Sequence, residues 1–359
     1  MKSTKLAALG LAALLILPTL AACSAQPADP GPPDPGKDKV TTGNATELAD
    51  LYKAAKDSGQ TEIVAYGPPG ALNAAVADDF AKAFPGISVK YEYIFGAELQ
   101  SRVKAEYSQG KPNVDVFISG AVDDDAFREA GYLEPYIPST AKDLDPKLQE
   151  SHWASPIFVV MGPMYNTNQL KGTDVPANWD ELVSSALKGG IGTSDPKVPA
   201  TAAFMIGAAL KEGLIDEKWL DDLAALDPKI FPSQTATVQA IASGQSKITL
   251  LVSYSNYLAA KKDGAPVEFS MLEEGLFAWP QAVALAKDAS ASDAAKLFIA
   301  WLYSEEGQAS VANTGIQGTM PDAPRVGGLE KAKLFTYSHK DVLSEYDSVH
   351  EVIAGAFGK

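Results

Sequence analysis

Residues 62–70 read EIVAYGPPG: a β-favouring apolar run from Ile63 to Tyr66 stops at the turn Gly67-Pro68-Pro69-Gly70. Apolar residues then recur at three- and four-residue steps, at Leu72, Ala75, Val76, Phe80, Ala83 and Phe84. Asp78, Asp79 and Lys82 fall on the other face, so the spacing predicts an amphipathic helix. The same unit recurs twice. A strand over 87–94 ends at Phe95-Gly96 before a helix from Ala97, and a strand over 114–119 ends at Gly120 before a helix from Asp123. Repeated strand, glycine turn and helix build a parallel sheet under covering helices. Every turn then sits at the carboxyl edge of the strands, where open α/β sheets bind ligands.

A second cycle follows. Residues 156–161 are an apolar run leading to Tyr165-Asn166, and Asn178 with Glu181 three residues on has the spacing of a helix cap. Gly192-Thr193-Ser194-Asp195-Pro196 interrupts the chain before a helix over 201–210. Further on, 233–242 reads as a short helix, 247–252 as a buried strand and 267–271 as β structure. Ala294, Leu297, Phe298, Trp301 and Leu302 mark a long helix, and 342–357 also has a helical pattern. Two α/β lobes joined by two or more crossovers fit this order.

With 359 residues the chain is long enough for two domains. Its 30 Lys+Arg against 45 Asp+Glu give a formal charge of −15, which excludes a general binder of nucleic acid. A single cysteine excludes an internal disulfide framework. At the amino terminus, Lys2 and Lys5 precede a short apolar run, and Leu20-Ala21-Ala22-Cys23 resembles the bacterial lipobox. That implies a signal peptide over 1–22, lipidation of Cys23 and a proline-rich tether over 23–45.

Enzyme motifs are mostly missing: there is no G-x-S-x-G elbow, no phosphate-binding P-loop and no G-x-G-x-x-G. The three histidines do not make a zinc motif, since Ala354 stands where a second histidine would follow His350-Glu351. Ser139-Thr140-Ala141-Lys142 and Ser101-Arg102-Val103-Lys104 both match S-x-x-K, which leaves a cell-surface serine hydrolase as the rival from another class. Asp123-Asp124-Asp125 with Glu134 imitates a calcium loop, but Phe127 and Arg128 stand at positions needing an oxygen ligand and a glycine. The acids are better read as the solvated first turn of a helix. Tyr254 and Tyr257, three apart after the strand at 247–252, share a helix face at a strand's carboxyl end.

Several runs taken together resemble the extracellular solute-binding proteins of ABC importers. They are 63–66 with its turn, Gly96-Ala97-Glu98-Leu99, Val114-Asp115-Val116-Phe117-Ile118, Ala130-Gly131-Tyr132-Leu133, Tyr165-Asn166-Thr167, and 294–298 through Ser304-Glu305-Glu306-Gly307-Gln308. The resemblance is to the ferric-iron-binding subgroup, which includes thiamine and phosphonate binders. It implies a two-lobed α/β fold of the type II periplasmic-binding class, each lobe a mainly parallel sheet flanked by helices, with the ligand cleft between them. The implied layout is a first lobe over 46–157, a second over 158–266, a return to the first over 267–320, and a C-terminal segment over 321–359 packed on the lobes. The implied partners are a small-molecule or metal ligand, a permease with its ATPase subunits, and the membrane through the lipid; the expected state is a monomer without catalytic activity.

Turn position and the resemblance select Pro68, Gly70, Gly96, Ala97, Glu98, Ser119 and Gly120 as ligand contacts from the first lobe. Thr193, Asp195, Thr201, Tyr254, Asn256 and Tyr257 are selected from the second. No resident cofactor is implied. If the cargo is ferric iron, Tyr254, Tyr257 and Glu98 are its expected oxygen ligands; iron-binding members usually present adjacent tyrosines, and here Ser255 and Asn256 separate them. The alternative cargo is thiamine or its phosphate, a phosphonate or another organic anion, met by helix N-termini.

Overall fold

The computed structural model describes residues 42–195 and 201–357. Its helices are α1 (Thr42–Asp57), α2 (Ala74–Ala83), α3 (Gly96–Ser108), α4 (Ala121–Glu129), α5 (Thr201–Lys211), α6 (Glu217–Ala225), α7 (Gln234–Ala242), α8 (Tyr254–Lys262), α9 (Ser292–Leu302), α10 (Glu305–Asn313) and α11 (His339–Phe357). Its strands are β1 (Glu62–Gly67), β2 (Ser88–Tyr93), β3 (Val116–Ser119), β4 (Leu133–Glu134), β5 (Trp153–Asn166), β6 (Ile191–Ser194), β7 (Lys229–Phe231), β8 (Ile248–Ser253), β9 (Val267–Phe269), β10 (Leu276–Ala286), β11 (Gln317–Gly318) and β12 (Leu334–Thr336). Cys23 and the segment expected to tether it lie outside the described residues, except that α1 already begins at Thr42. Among the described residues no helix is long and apolar enough to cross a membrane.

One sheet runs through the molecule in the order β2-β1-β3-β10-β5-β8-β6-β7. The first-lobe strands β2, β1 and β3 are mutually parallel, as are β7, β6 and β8 of the second lobe. Between these groups β5 and β10 run antiparallel, from Phe277 opposite Met161 to Ala284 opposite Trp153. β3 joins the far half of β10, at Ala282 to Leu285, whereas β8 joins the far half of β5, at Met161 to Tyr165. Each crossing strand therefore pairs with both groups of parallel strands. β9 pairs with β5 from Met164 to Asn166. Both strands are buried along almost their whole length, which explains why their sequences are apolar without alternation.

The sequence also fixes the local ends of the elements. Side chains of Asn73, Asp216, Ser233, Ser253 and Ser304 cap α2, α6, α7, α8 and α10 by accepting from backbone N–H groups of the first turn. The expected cap at Asn178 forms, Glu181 N–H donating to its Oδ1 at 3.0 Å, but it opens only a 3-10 turn over Asp180–Val183. Under α2 and α9, Phe80 packs on Phe298 and Trp301 with ring centroids 5.1 and 5.5 Å apart.

Asp115 ties β1, β3 and α9 together. Its buried carboxylate accepts from Val64 N at 2.9 Å, Ser290 Oγ at 3.1 Å and Ala291 N at 2.9 Å. Asp115→Ala strands these donors, and a loss of about 2–3 kcal/mol is expected, read as a lower urea midpoint with unchanged slope. A midpoint equal to the parent's would contradict this role.

Candidate functional site between the lobes

Two polar clusters lie at the carboxyl ends of the strands, one where the turn after β1 meets the helix after β8 and one at the end of β3. In the first, the turn after β1 meets the start of α8. Ser255 Oγ donates to the Gly70 carbonyl at 3.0 Å, across the lobes. Gly70 has φ +90°, and a Cβ there would lie 2.9 Å from Asn256 Oδ1, so only glycine admits this approach. Asn256 Nδ2 donates to Oε1 of Gln234, the first residue of α7, at 2.6 Å. Ser253 Oγ accepts from Asn256 N–H at 3.3 Å and lies 3.3 Å from Ser255 Oγ. The cluster therefore gathers two helix N-termini and four neutral polar side chains. Gly70 and Asn256 are among the contacts expected from the sequence, and the structure sets Gln234, Ser253 and Ser255 beside them. The serine caps of α7 and α8, each preceding a helix after a strand, were the signal for them.

The second cluster surrounds the end of β3. Ser119 Oγ donates to Asp124 Oδ1. Asp124 is 1% exposed, so the reading of these acids as a solvated helix start fails at this residue. The cause is tertiary: His339, at the start of α11, comes over it with Nδ1 3.5 Å from Asp124 Oδ2. Burial raises the Asp124 carboxyl well above its ordinary range and lowers His339 to about 3. Gly120 opens α4 without a side-chain cap, and a Cβ on it would be 3.6 Å from Gln281 Nε2. On β10, Gln281 Oε1 and Trp279 Nε1 are buried without a hydrogen-bond partner, next to a register shift between Gln281 and Val283.

The remaining expected contacts are placed as follows. Pro68 is half-buried beside Gly70, and Thr193 is buried in β6 with Asp195 just beyond it. Thr201 opens α5, with its side chain outside the described set. Gly96, Ala97 and Glu98 open α3 after the edge strand β2, with Ala97 and Glu98 exposed.

The tyrosines do share a face, with ring centroids 5.3 Å apart, but that face packs into the protein against Phe269. Tyr254 donates to the Gly327 carbonyl at 3.0 Å. Tyr257 donates to Glu268 at 2.7 Å and accepts from Lys261 at 3.0 Å. Burial raises both phenols, which disfavours the phenolate that ferric iron prefers. Among the described residues no group of three His, Cys, Asp or Glu stands ready to hold a metal ion. Ser139, the candidate nucleophile, donates to Glu47 of α1 at 2.5 Å.

The fold has counterparts among known proteins. Residues 75–336 match the family described as bacterial extracellular solute-binding protein. A probable ABC transporter periplasmic-binding protein of Sinorhizobium fredii is 26% identical over 277 residues, 73% of this chain and 75% of that one. The major ferric iron-binding protein of Neisseria meningitidis serogroup B is 26% identical over 267 residues, 70% and 78% of the two chains. In structure, the substrate-binding protein of an ABC transporter from Agrobacterium tumefaciens superposes with a TM-score of 0.70 at 16% identity, over 83% of this chain and 94% of that one. The chain belongs to the bacterial extracellular solute-binding proteins, with the two-lobed fold of the type II periplasmic-binding class.

Proposed function

We propose that this chain, a solute-binding protein of an ABC importer, closes on a small hydroxylated organic oxyanion, a sugar phosphate being the simplest example, and hands it to a membrane permease without chemical change. The observation that carries the reading is the neutral cluster of Gln234, Ser253, Ser255 and Asn256 at the starts of α7 and α8, facing Gly70. Backbone N–H groups at helix N-termini favour negative charge, and neutral amides and hydroxyls add donors without requiring a counter-ion. Gln281 Oε1 asks for a donor and Trp279 Nε1 for an acceptor, and a ligand hydroxyl supplies both. Pro68, Gly70, Ser119, Gly120, Thr193, Asp195, Thr201 and Asn256 are the proposed edge of the cleft. Lipidation at Cys23, as the sequence implies, would keep the receptor beside its permease.

A second reading, ferric iron as cargo, is favoured by the Neisseria relative's name. It would need Tyr254 and Tyr257 to give up their present partners and, with Glu98, turn to one metal. The two readings separate on tyrosine substitution. With Tyr254→Phe and Tyr257→Phe combined, the affinity for the phosphate ester that binds the parent is expected to stay within about threefold, while Asn256→Ala costs about tenfold or more, one lost hydrogen bond in a desolvated cleft. The opposite pattern in calorimetry, with a tyrosinate-to-iron absorbance band lost in the double variant, would establish iron.

A further inference from the structure

The C-terminal segment spans both sides of the hinge. β12 adds in parallel to the second-lobe half of β10, at Leu276 to Ala278. Next, Tyr337 stacks on Trp279, with centroids 4.8 Å apart and planes at 26°, and donates to Glu212 just past α5 at 3.3 Å. Asp341 pairs with Lys211 of α5 at 3.3 Å. Further along α11, Val342, Val349 and Ile353 are buried in the same core as Ala209 of α5 and Trp219, Leu220 and Leu223 of α6. The body of α11 is therefore fixed to the second lobe.

Its first residue reaches the other lobe. His339 is 4% exposed, its ring centroid 4.1 Å from that of Trp153 and its Nε2 2.8 Å from Ser155 Oγ. Both residues lie in the first-lobe half of β5, where Trp153 stands opposite Ala284 of β10. The third wall of the slot is Asp124 of α4, the helix that begins at the cleft edge with Ser119 and Gly120. When two lobes rotate about paired strands, the helices behind each lobe move relative to one another. A side chain that leaves one lobe and is buried in the other must shift in its slot or withdraw.

We propose that α11 is a strap across the hinge and that His339 is its latch, a positioning residue whose seat against Asp124, Trp153 and Ser155 sets the balance between open and closed lobes. His339 touches no ligand in this scheme. It acts through α4, because the carboxyl it meets is the one that accepts the Ser119 hydroxyl's hydrogen bond at the end of β3. The seat is sterically and chemically specific: Ser155 meets one ring nitrogen and Asp124 faces the other. Loss of the latch shifts the resting population toward the open form, and a ligand that binds the closed form then binds more weakly by the same factor. The inference rests on the two-lobed fold and not on the identity of the solute.

The test is interlobe distance in the full chain without added ligand, from spin labels at Lys104→Cys in α3 and Ala225→Cys at the end of α6, both exposed positions. His339→Ala is expected to move the distance distribution toward longer values, while circular dichroism stays that of a folded protein. Asp124→Asn, which keeps the size of the side chain, is expected to shift it in the same direction and carries the test if His339→Ala does not fold. Tyr337→Phe, which keeps the stacked ring, should leave the distribution unchanged. Distances equal to the parent's in the folded His339 and Asp124 variants would overturn the latch and reduce α11 to packing. Since no solute is added, failure here leaves the proposed ligand chemistry standing, and failure of that chemistry leaves this result intact.

Discussion

Gly70→Val is expected to abolish solute capture, weakening affinity by at least about 100-fold, equivalent to about 2.7 kcal/mol. Two independent penalties combine at this position. Gly70 has φ +90°, a conformation that costs a residue with a Cβ roughly 1–2 kcal/mol, and more for a branched one. The new Cβ would also fall 2.9 Å from Asn256 Oδ1, on the opposite lobe. Relief comes most readily by separating the lobes, which breaks the Ser255–Gly70 hydrogen bond and parts the two halves of the site. Calorimetry with the phosphate ester that stabilises the parent, alongside an unfolding curve of the ligand-free variant, separates lost closure from lost folding. A folded Gly70→Val protein binding within twofold of the parent would show that Gly70 does not lie where the lobes close.

The largest loss of stability is expected at Trp301. The side chain is fully buried, and it packs on Phe80 at 5.5 Å and Phe298 at 6.3 Å, in the core between α2, α9 and the sheet. Trp301→Ala removes that apolar surface and leaves a cavity that the rigid sheet cannot collapse to fill. The expected cost is about 3–5 kcal/mol. It should appear as a lower urea midpoint, with solute affinity of the surviving folded fraction unchanged because the residue is remote from the cleft. A cost under about 1 kcal/mol would mean that the first lobe repacks freely.

Much of this architecture was legible because the periodicity of the sequence changes where the structure does. At 62–70 and 114–120 a buried run ends in glycine just before helical spacing begins, and β1 with α2 and β3 with α4 appear there. What the sequence could not show were partners brought from far along the chain. Only 156–161 of β5 reads as a buried run and β10 has no reading of its own, and pairing alone reveals that each strand joins both groups of parallel strands. Tyr254 and Tyr257 lie at a strand's carboxyl end, yet Phe269, Glu268 and Gly327 arrive to take their rings and hydroxyls. Asp124 reads as a helix-dipole acid until His339 folds back over it. In the cleft, Gly70 and Asn256 carried a local signal of turn and helix start, whereas Gln234 joins them only through the register of β6, β7 and β8.

The most direct test of the account is thermal unfolding of the ligand-stripped protein against inorganic phosphate, sugar phosphates, phosphonates, thiamine and its phosphates, and ferric citrate, with the visible spectrum recorded in parallel. At 100 times its Kd a ligand adds about 2.7 kcal/mol, a shift of several degrees at this size. The account predicts that shift with a hydroxylated phosphate ester and none with ferric citrate. A shift with ferric citrate alone, accompanied by a tyrosinate-to-iron band, would contradict it.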